Sequence, residues 1–194
     1  MPPVQTNPEP IAGPWLEGFV LDRHTISSVP TYYIGQHLQY DTMRSPLGEL
    51  LYRLKYRGEQ AGIADIVDTL VEFVDRSWRP VIECIVPAPP SVHRASQPVV
   101  TIAEELGRRL GVPVVTDAVA KVKGTLQMKD VTSSQERATM LAEAIQIGGG
   151  SVLGRRVLLL DDLIEHGSTL TKVATLLNEA GAREIRALVL TRTK

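Results

Sequence analysis

Residues 157–170 read Val-Leu-Leu-Leu-Asp161-Asp162-Leu-Ile-Glu165-His166-Gly167-Ser168-Thr169-Leu170. An apolar run meets two adjacent acids, then a short polar stretch holding a glycine, then the start of a helical pattern. Each residue type has a use at its position. Ionised carboxylates accept hydrogen bonds, so Asp161 and Asp162 at the end of a rigid strand can hold vicinal hydroxyls and reach Mg2+ directly or through water. Gly167 lets the backbone approach a ligand closely. The backbone N–H groups of 165–169 stand at a helix entrance, where unpaired donors and the helix dipole favour an anion. Ser168 and Thr169 add hydroxyl donors, and His166 lies in the same turn. The set suits a sugar that carries a phosphate on one carbon and a diol nearby. The competing reading is a strand end with a solvated acidic turn and an ordinary cap. Glu165 admits two roles in equal measure, a general acid/base or a side chain that merely complements the dipole. His166 reads more readily as a solvent-facing loop residue than as a catalyst.

The elements that position this stretch follow from periodicity. Residues 1–14 hold Pro2, Pro3, Pro8, Pro10 and Pro14 and read as a disordered or extended tail that cannot pack regularly. Residues 15–45 are irregular, with Tyr32, Tyr33 and Tyr40, and read as short strands and loops. Ser45-Pro46 caps and opens a helix striped by Leu47, Leu50, Leu51 and Leu54 and ended by Gly58. A second helix carries Ile63, Ile66, Val67, Leu70 and Val74 on one face. Pro80 precedes a buried strand over 81–86. The next helix shows Val99, Ile102, Ala103, Leu106 and Leu110, with Gly111 as its stop. Short strands are expected at 112–115 and 118–122, a mobile loop at 123–132, and a helix from the Ser133-x-x-Glu136 capping box to Ile147. Gly148-Gly149-Gly150 reads as a flexible link. A strand at 157–160, a helix through Leu170, Val173, Ala174 and Leu177, and a last strand at 185–190 complete the chain. Strands alternating with amphipathic helices predict an α/β fold, a parallel sheet covered on both faces, with ligands outside the carboxyl ends of the strands.

The four apolar residues, two acids, two apolar residues and small loop ending in Gly-x-Thr resemble the phosphoribosyl pyrophosphate signature of type I phosphoribosyltransferases. The rest of the chain is similar to the ComF-type branch of that family. Leu21-Asp22-x-His24-Thr25, Leu54-Lys55-Tyr56-Arg57-Gly58, Ile85-Val86-Pro87-x-Pro89, Gln97, Thr125-x-Gln127 and Arg137 stand in that branch's order, from about Gly18 to Thr193. The resemblance implies a type I phosphoribosyltransferase (Rossmann-like) parallel sheet flanked by helices over 46–194, with a small N-terminal hood at 15–45. It implies transfer of ribose 5-phosphate from phosphoribosyl pyrophosphate to a nitrogen nucleophile such as a nucleobase, with release of pyrophosphate. Asp161 and Asp162 would hold the ribose diol and Mg2+, 165–169 the 5-phosphate, and Glu165 would act on a ring nitrogen of the base. Pro87, Ala88, Pro89, Pro90 and Ser91 would form the pyrophosphate loop, with Lys121, Lys123 and Lys129 closing over it. Two other roles are compatible with the resemblance, a non-catalytic sensor of phosphoribosyl pyrophosphate or nucleotides and an accessory protein in DNA uptake. The chain departs from the branch in two places. It has no cysteine zinc module, and Glu165 and His166 stand where small residues are usual.

Composition narrows the remaining classes. The chain has 194 residues, 43% hydrophobic and 22% charged, with a net charge of −1, as expected of one α/β domain. No apolar run reaches the length of a bilayer span, and the N-terminus carries no secretory pattern. The single cysteine, Cys84, excludes an internal disulfide and a cysteine-built zinc site, and a cytoplasmic home is expected. The near-neutral charge argues against a nucleic-acid partner, and no membrane partner is expected. A homodimer is compatible with the sequence. The clusters Arg53-Lys55-Arg57, Lys121-Lys123 and Arg155-Arg156 could face a small anion or simply solvent. His24 and His37 lack metal-ligand spacing, and no nucleotide-triphosphatase Gly-x4-Gly-Lys-Ser/Thr loop occurs.

Overall fold

The computed structural model describes residues 4–78, 81–90, 97–121, 140 and 144–193. Pro80, Ser91, Lys123, Thr125, Gln127, Lys129, the 133–136 capping box and Arg137 lie outside the described residues. The elements in chain order are β1 (Glu9–Pro10), β2 (Glu17–Arg23), β3 (Thr25–Ile34), β4 (His37–Arg44), α1 (Pro46–Tyr52), α2 (Ile63–Ser77), β5 (Cys84–Pro87), α3 (Pro98–Leu110), β6 (Val119–Lys121), β7 (Ile145–Ile147), β8 (Arg156–Ile164), α4 (Ser168–Glu179) and β9 (Glu184–Arg192). Five strands form the central sheet in the order β1-β2-β9-β8-β5. The pairs β2–β9, β9–β8 and β8–β5 are parallel, and β1 runs antiparallel at the edge. The expected α/β sheet covered on both faces is present.

Alternation along the strands builds two cores. Leu21, Ile85, Leu158, Leu160, Leu188 and Leu190 point to one face, where α1, α2 and α3 pack with Leu47, Leu51, Ile66, Leu70, Ile102 and Leu106. Val20, Cys84, Val86, Val157, Leu159, Ala187 and Val189 point to the other, under α4 with Leu170, Val173 and Leu177. Burying each such side chain contributes about 1.5–3 kcal/mol, so both layers hold the interior strand β8 firmly. Ser45 caps α1 as expected, its hydroxyl accepting from Gly48 N–H at 3.0 Å. No helix among the described residues is long and apolar enough to cross a membrane.

Several expectations need correction. The segment expected to be a disordered or extended tail is extended, and it packs on the body from residue 4 onward. Val4 N–H donates to Thr69 Oγ1 at 2.9 Å, β1 pairs with β2, and the Trp15 indole donates to the Ile11 carbonyl at 2.9 Å. Pro8 and Pro10 are tolerated because this strand is the sheet's edge. Within 15–45, β2 belongs to the central sheet, and only the β3–β4 hairpin projects; Tyr32, Tyr33 and Tyr40 on it are all exposed. Ile145–Ile147, expected as the end of a helix, is instead a strand paired antiparallel with β6, with Ile145 buried and Gln146 and Ile147 exposed. That two-residue alternation is the strand period. Gly148 to Gly150 are not a flexible link: a Cβ on Gly148 would run into the Asp117 carbonyl oxygen, and one on Gly150 into the Asp117 side chain and Val115. At 112–115 the chain makes only a single bridge, Ile85 to Val114.

Candidate functional site

The site forms where β8 and β5 end side by side. Pro87 pairs with Leu160 across the parallel ladder, so the two strands' carboxyl ends open on the same edge of the sheet. Strand β8 does not stop at Leu160, because its pairing with β9 continues from Asp161↔Val189 through Ile164↔Arg192. Both acids are therefore strand residues, and successive side chains on a strand leave it on opposite faces. Asp162 turns toward the α1 side, where Lys55 Nζ lies 2.7 Å from its Oδ1, the two side chains 11% and 14% exposed. Asp161 turns toward the α4 side, where it is the charge that acts on Lys121 of β6. The acids expected to act together on one diol are thus held apart by the pleat, meeting only at the sheet's rim and through a bond from Asp162 N–H to Asp161 Oδ1 at 2.8 Å.

Their electrostatics differ in the same way. Loss of solvent pushes the Asp161 carboxyl up to about 7, the neighbouring Asp162 charge adds to this, and backbone donors and Lys55 oppose it. Burial pushes the Lys121 ammonium down, Asp161 partly offsetting the effect. Lys121 Nζ is enclosed and has no hydrogen-bond partner among the described residues. A buried ammonium in that condition is stabilised by any anion that reaches it. β6 packs against α4, so this cation and the helix entrance share one side of the sheet.

The turn at 165–167 leads into α4 with Gly167 at φ 76° as its N-cap and no side-chain cap. The first intrahelical bond runs from Thr171 N–H to the Gly167 carbonyl at 2.9 Å, which leaves the N–H groups before it facing the entrance. Glu165 does not plug that entrance by burial: its side chain is 61% exposed and stands 3.5 Å from His166 Nε2. Beside the turn, Thr193 N–H donates to the Ile164 carbonyl at 3.1 Å, and the Thr193 hydroxyl is buried without a partner among the described residues.

Residues 99–194 match the family described as the phosphoribosyl transferase domain. The chain carries a phosphoribosyltransferase domain. It is 26% identical over 156 residues to Competence protein F of Haemophilus influenzae, covering 76% of this chain and 68% of that protein. It is 37% identical over 86 residues to the adenine phosphoribosyltransferase of Nocardia farcinica, covering 43% of this chain and 45% of that enzyme. Among solved structures, the adenine phosphoribosyltransferase of Leishmania tarentolae superposes with a TM-score of 0.52 at 13% identity, over 96% of this chain and 94% of that one. The last is a likeness of fold.

The expected pyrophosphate loop, which precedes the matched residues, is in part committed to the scaffold. Pro87 and Ala88 are buried, and the Ala88 N–H donates to the Leu160 carbonyl at 2.7 Å, extending the β5–β8 ladder. It cannot also donate to a ligand, so of the described loop residues only Pro89 and Pro90 reach the surface partly. Arg156 lies at the opposite end of β8, paired with Glu83 at 3.5 Å, and takes no part. Lys55, Thr191 and His24 lie around Asp162; Lys55 and His24 stand in motifs that carry the resemblance without a role assigned to them, and Thr191 in none. Thr191 Oγ1 donates to the Asp162 carbonyl at 3.2 Å and stands 3.2 Å from His24 Nδ1. The Arg53-Lys55-Arg57 cluster carried the signal. Arg53 turns out to Glu49 at 2.8 Å and Arg57 to Glu59 at 3.9 Å, while Lys55 alone turns inward.

Proposed function

We propose that this protein binds phosphoribosyl pyrophosphate at the carboxyl end of β8 and transfers its ribose 5-phosphate to a nitrogen nucleophile. The observation that carries this reading is the pairing of an uncapped helix entrance with an enclosed, unpartnered Lys121 ammonium on the same side. Two anion sites flank one carboxyl, Asp161, as a ligand with a phosphate at each end of a diol requires. The 5-phosphate would sit on the N–H groups and hydroxyls of 165–169, and the pyrophosphate toward Lys121 and the 89–90 turn. The similarity to an adenine phosphoribosyltransferase and the matched family domain support the donor and leave the acceptor to be found by assay.

The chemistry asks little covalent work of the protein. The bond from C1 to the pyrophosphate oxygen breaks with its electron pair leaving on pyrophosphate, the ring acquires oxocarbenium character, and the nitrogen lone pair forms the new bond to C1 while its proton departs to a base. Positioning and electrostatic stabilisation supply the rate. Lys121 would draw off charge developing on the leaving group, and the Asp161 and Asp162 carboxylates, which meet at the rim of β8, would accept from the ribose hydroxyls. Glu165, exposed at the mouth, can take the proton. No cluster of three or more metal-ligating side chains occurs among the described residues. One carboxylate beside substrate phosphates is the arrangement Mg2+ commonly uses, so Asp161 would hold it, and it would neutralise the pyrophosphate.

The test is pyrophosphate release from phosphoribosyl pyrophosphate and Mg2+ with adenine, guanine, hypoxanthine, uracil or orotate. Turnover with one of them is expected, and Asp161→Asn should lower it by about 100-fold or more. Binding of the donor without turnover would instead select a sensor. Absence of both, with salt-sensitive binding to single-stranded DNA, would favour the DNA-uptake role.

A further inference from the structure

Lys55 approaches the site from the face opposite the phosphate turn. After α1 the chain makes a turn of π-helix, Arg53–Arg57, ended by Gly58 at φ 68°. A π turn takes an extra residue relative to an α turn and so changes which side chain faces inward; such turns recur at functional sites. Here Leu54 goes into the core, and Lys55 reaches the carboxylate of Asp162 at 2.7 Å with both side chains nearly enclosed. The remainder of Asp162 is fixed from β9. The Thr191 hydroxyl gives its one proton to the Asp162 carbonyl, so it must accept from His24, which places the imidazole proton on Nδ1.

An ion pair this enclosed holds its members in one orientation. We propose that Lys55 is a positioning residue of the phosphoribosyl site, which fixes Asp162 as an oriented carboxylate at the rim of β8 so that the ligand's diol meets a preset acceptor there. The inference rests on the reading given under Proposed function. Lys55 acts through Asp162 and touches no ligand itself. A purely structural pair would leave donor affinity untouched once the protein is folded.

The experiment is calorimetric titration of the full-length protein with Mg2+ and phosphoribosyl pyrophosphate, with circular dichroism confirming the fold of each variant. Lys55→Met should weaken binding by about tenfold or more, the usual worth of a charge-assisted hydrogen bond. Lys55→Arg, which keeps the charge, should recover most of that affinity. The double variant Lys55→Met/Asp162→Asn should bind as Asp162→Asn does, because two residues acting through one contact are not additive. Wild-type affinity in a folded Lys55→Met would overturn the proposal, and so would a double variant markedly weaker than Asp162→Asn, since Lys55 would then meet the ligand directly. Should Lys55→Met fail to fold, the double variant, which leaves no buried charge unpaired, still decides between these outcomes. A wild type that does not bind the donor at all would defeat the phosphoribosyl reading itself, a result distinct from failure of the Lys55 role.

Discussion

Adjacent residues on an extended strand cannot share a side, and at Asp161 and Asp162 this simple rule separates two carboxyls that look like a pair on paper. Lys55 partners one, and solvent is withdrawn from the other. Asp161 keeps its proton up to about 7 in the folded state, whereas the unfolded chain releases it near 3.8. Between those values the folded form binds more protons, so this group's contribution to stability is full below the unfolded value and is lost as pH rises through the folded one. Asp161→Asn should therefore remove a slope of up to about 1.4 kcal/mol per pH unit across that window. Paired urea melts of both proteins from pH 4 to 8 check this. His24, whose pKa burial and the nearby Lys55 and Arg44 depress, works in the opposite direction in both proteins and cancels from the difference. Residue types and order revealed the acids, the glycine and the hydroxyls. They did not reveal which cation of Arg53, Lys55 and Arg57 turns inward, because that depends on one extra residue in a helical turn.

The elements were legible where one period ran unbroken. The stripes of α1, α2, α3 and α4 and the apolar runs of β5, β8 and β9 fall close to where they were expected. Two elements run differently from what the local pattern predicts. The capping box at 133–136 predicts a helix to Ile147, whereas Ile145-Gln146-Ile147 alternates as a strand does. The apolar run at 157–160 predicts a strand ending at its first acid, whereas backbone pairing with β9 does not require apolar side chains and runs on to Ile164. The entrance to α4 allows a sharper test of this level. Gly167 sits at φ 76°, where a Cβ costs about 1–2 kcal/mol. Gly167→Ala should lose roughly that much stability by denaturant titration and should also weaken donor binding, because relieving the strain rotates the N–H groups out of the cradle.

Over the whole molecule, the sheet and its two cores are closely packed, and the β3–β4 hairpin stands out from them. Tyr33 is 68% exposed, and Ile26, Val29, Tyr32, Ile34, Tyr40 and Met43 are all more than half exposed. Side chains so poorly buried contribute little to stability. Replacing 26–43 with a short turn should shift the thermal midpoint by no more than a few degrees. If the hairpin acts as the hood for the acceptor, the same deletion should leave donor affinity within about threefold and abolish transfer. A coupled assay of both quantities separates the two roles. The body's architecture could be anticipated from amphipathic periods. The hairpin could not, because its exposed aromatics follow no burial pattern. The most direct measurement of the central claim is a crystal structure with Mg2+ and phosphoribosyl pyrophosphate bound. The account predicts the 5-phosphate on the N–H groups of 165–169, the ribose hydroxyls against Asp161 and Asp162, and the pyrophosphate within reach of Lys121. A donor bound elsewhere, with Lys121 still unpartnered and the α4 entrance closed by the Glu165 carboxylate, would contradict it.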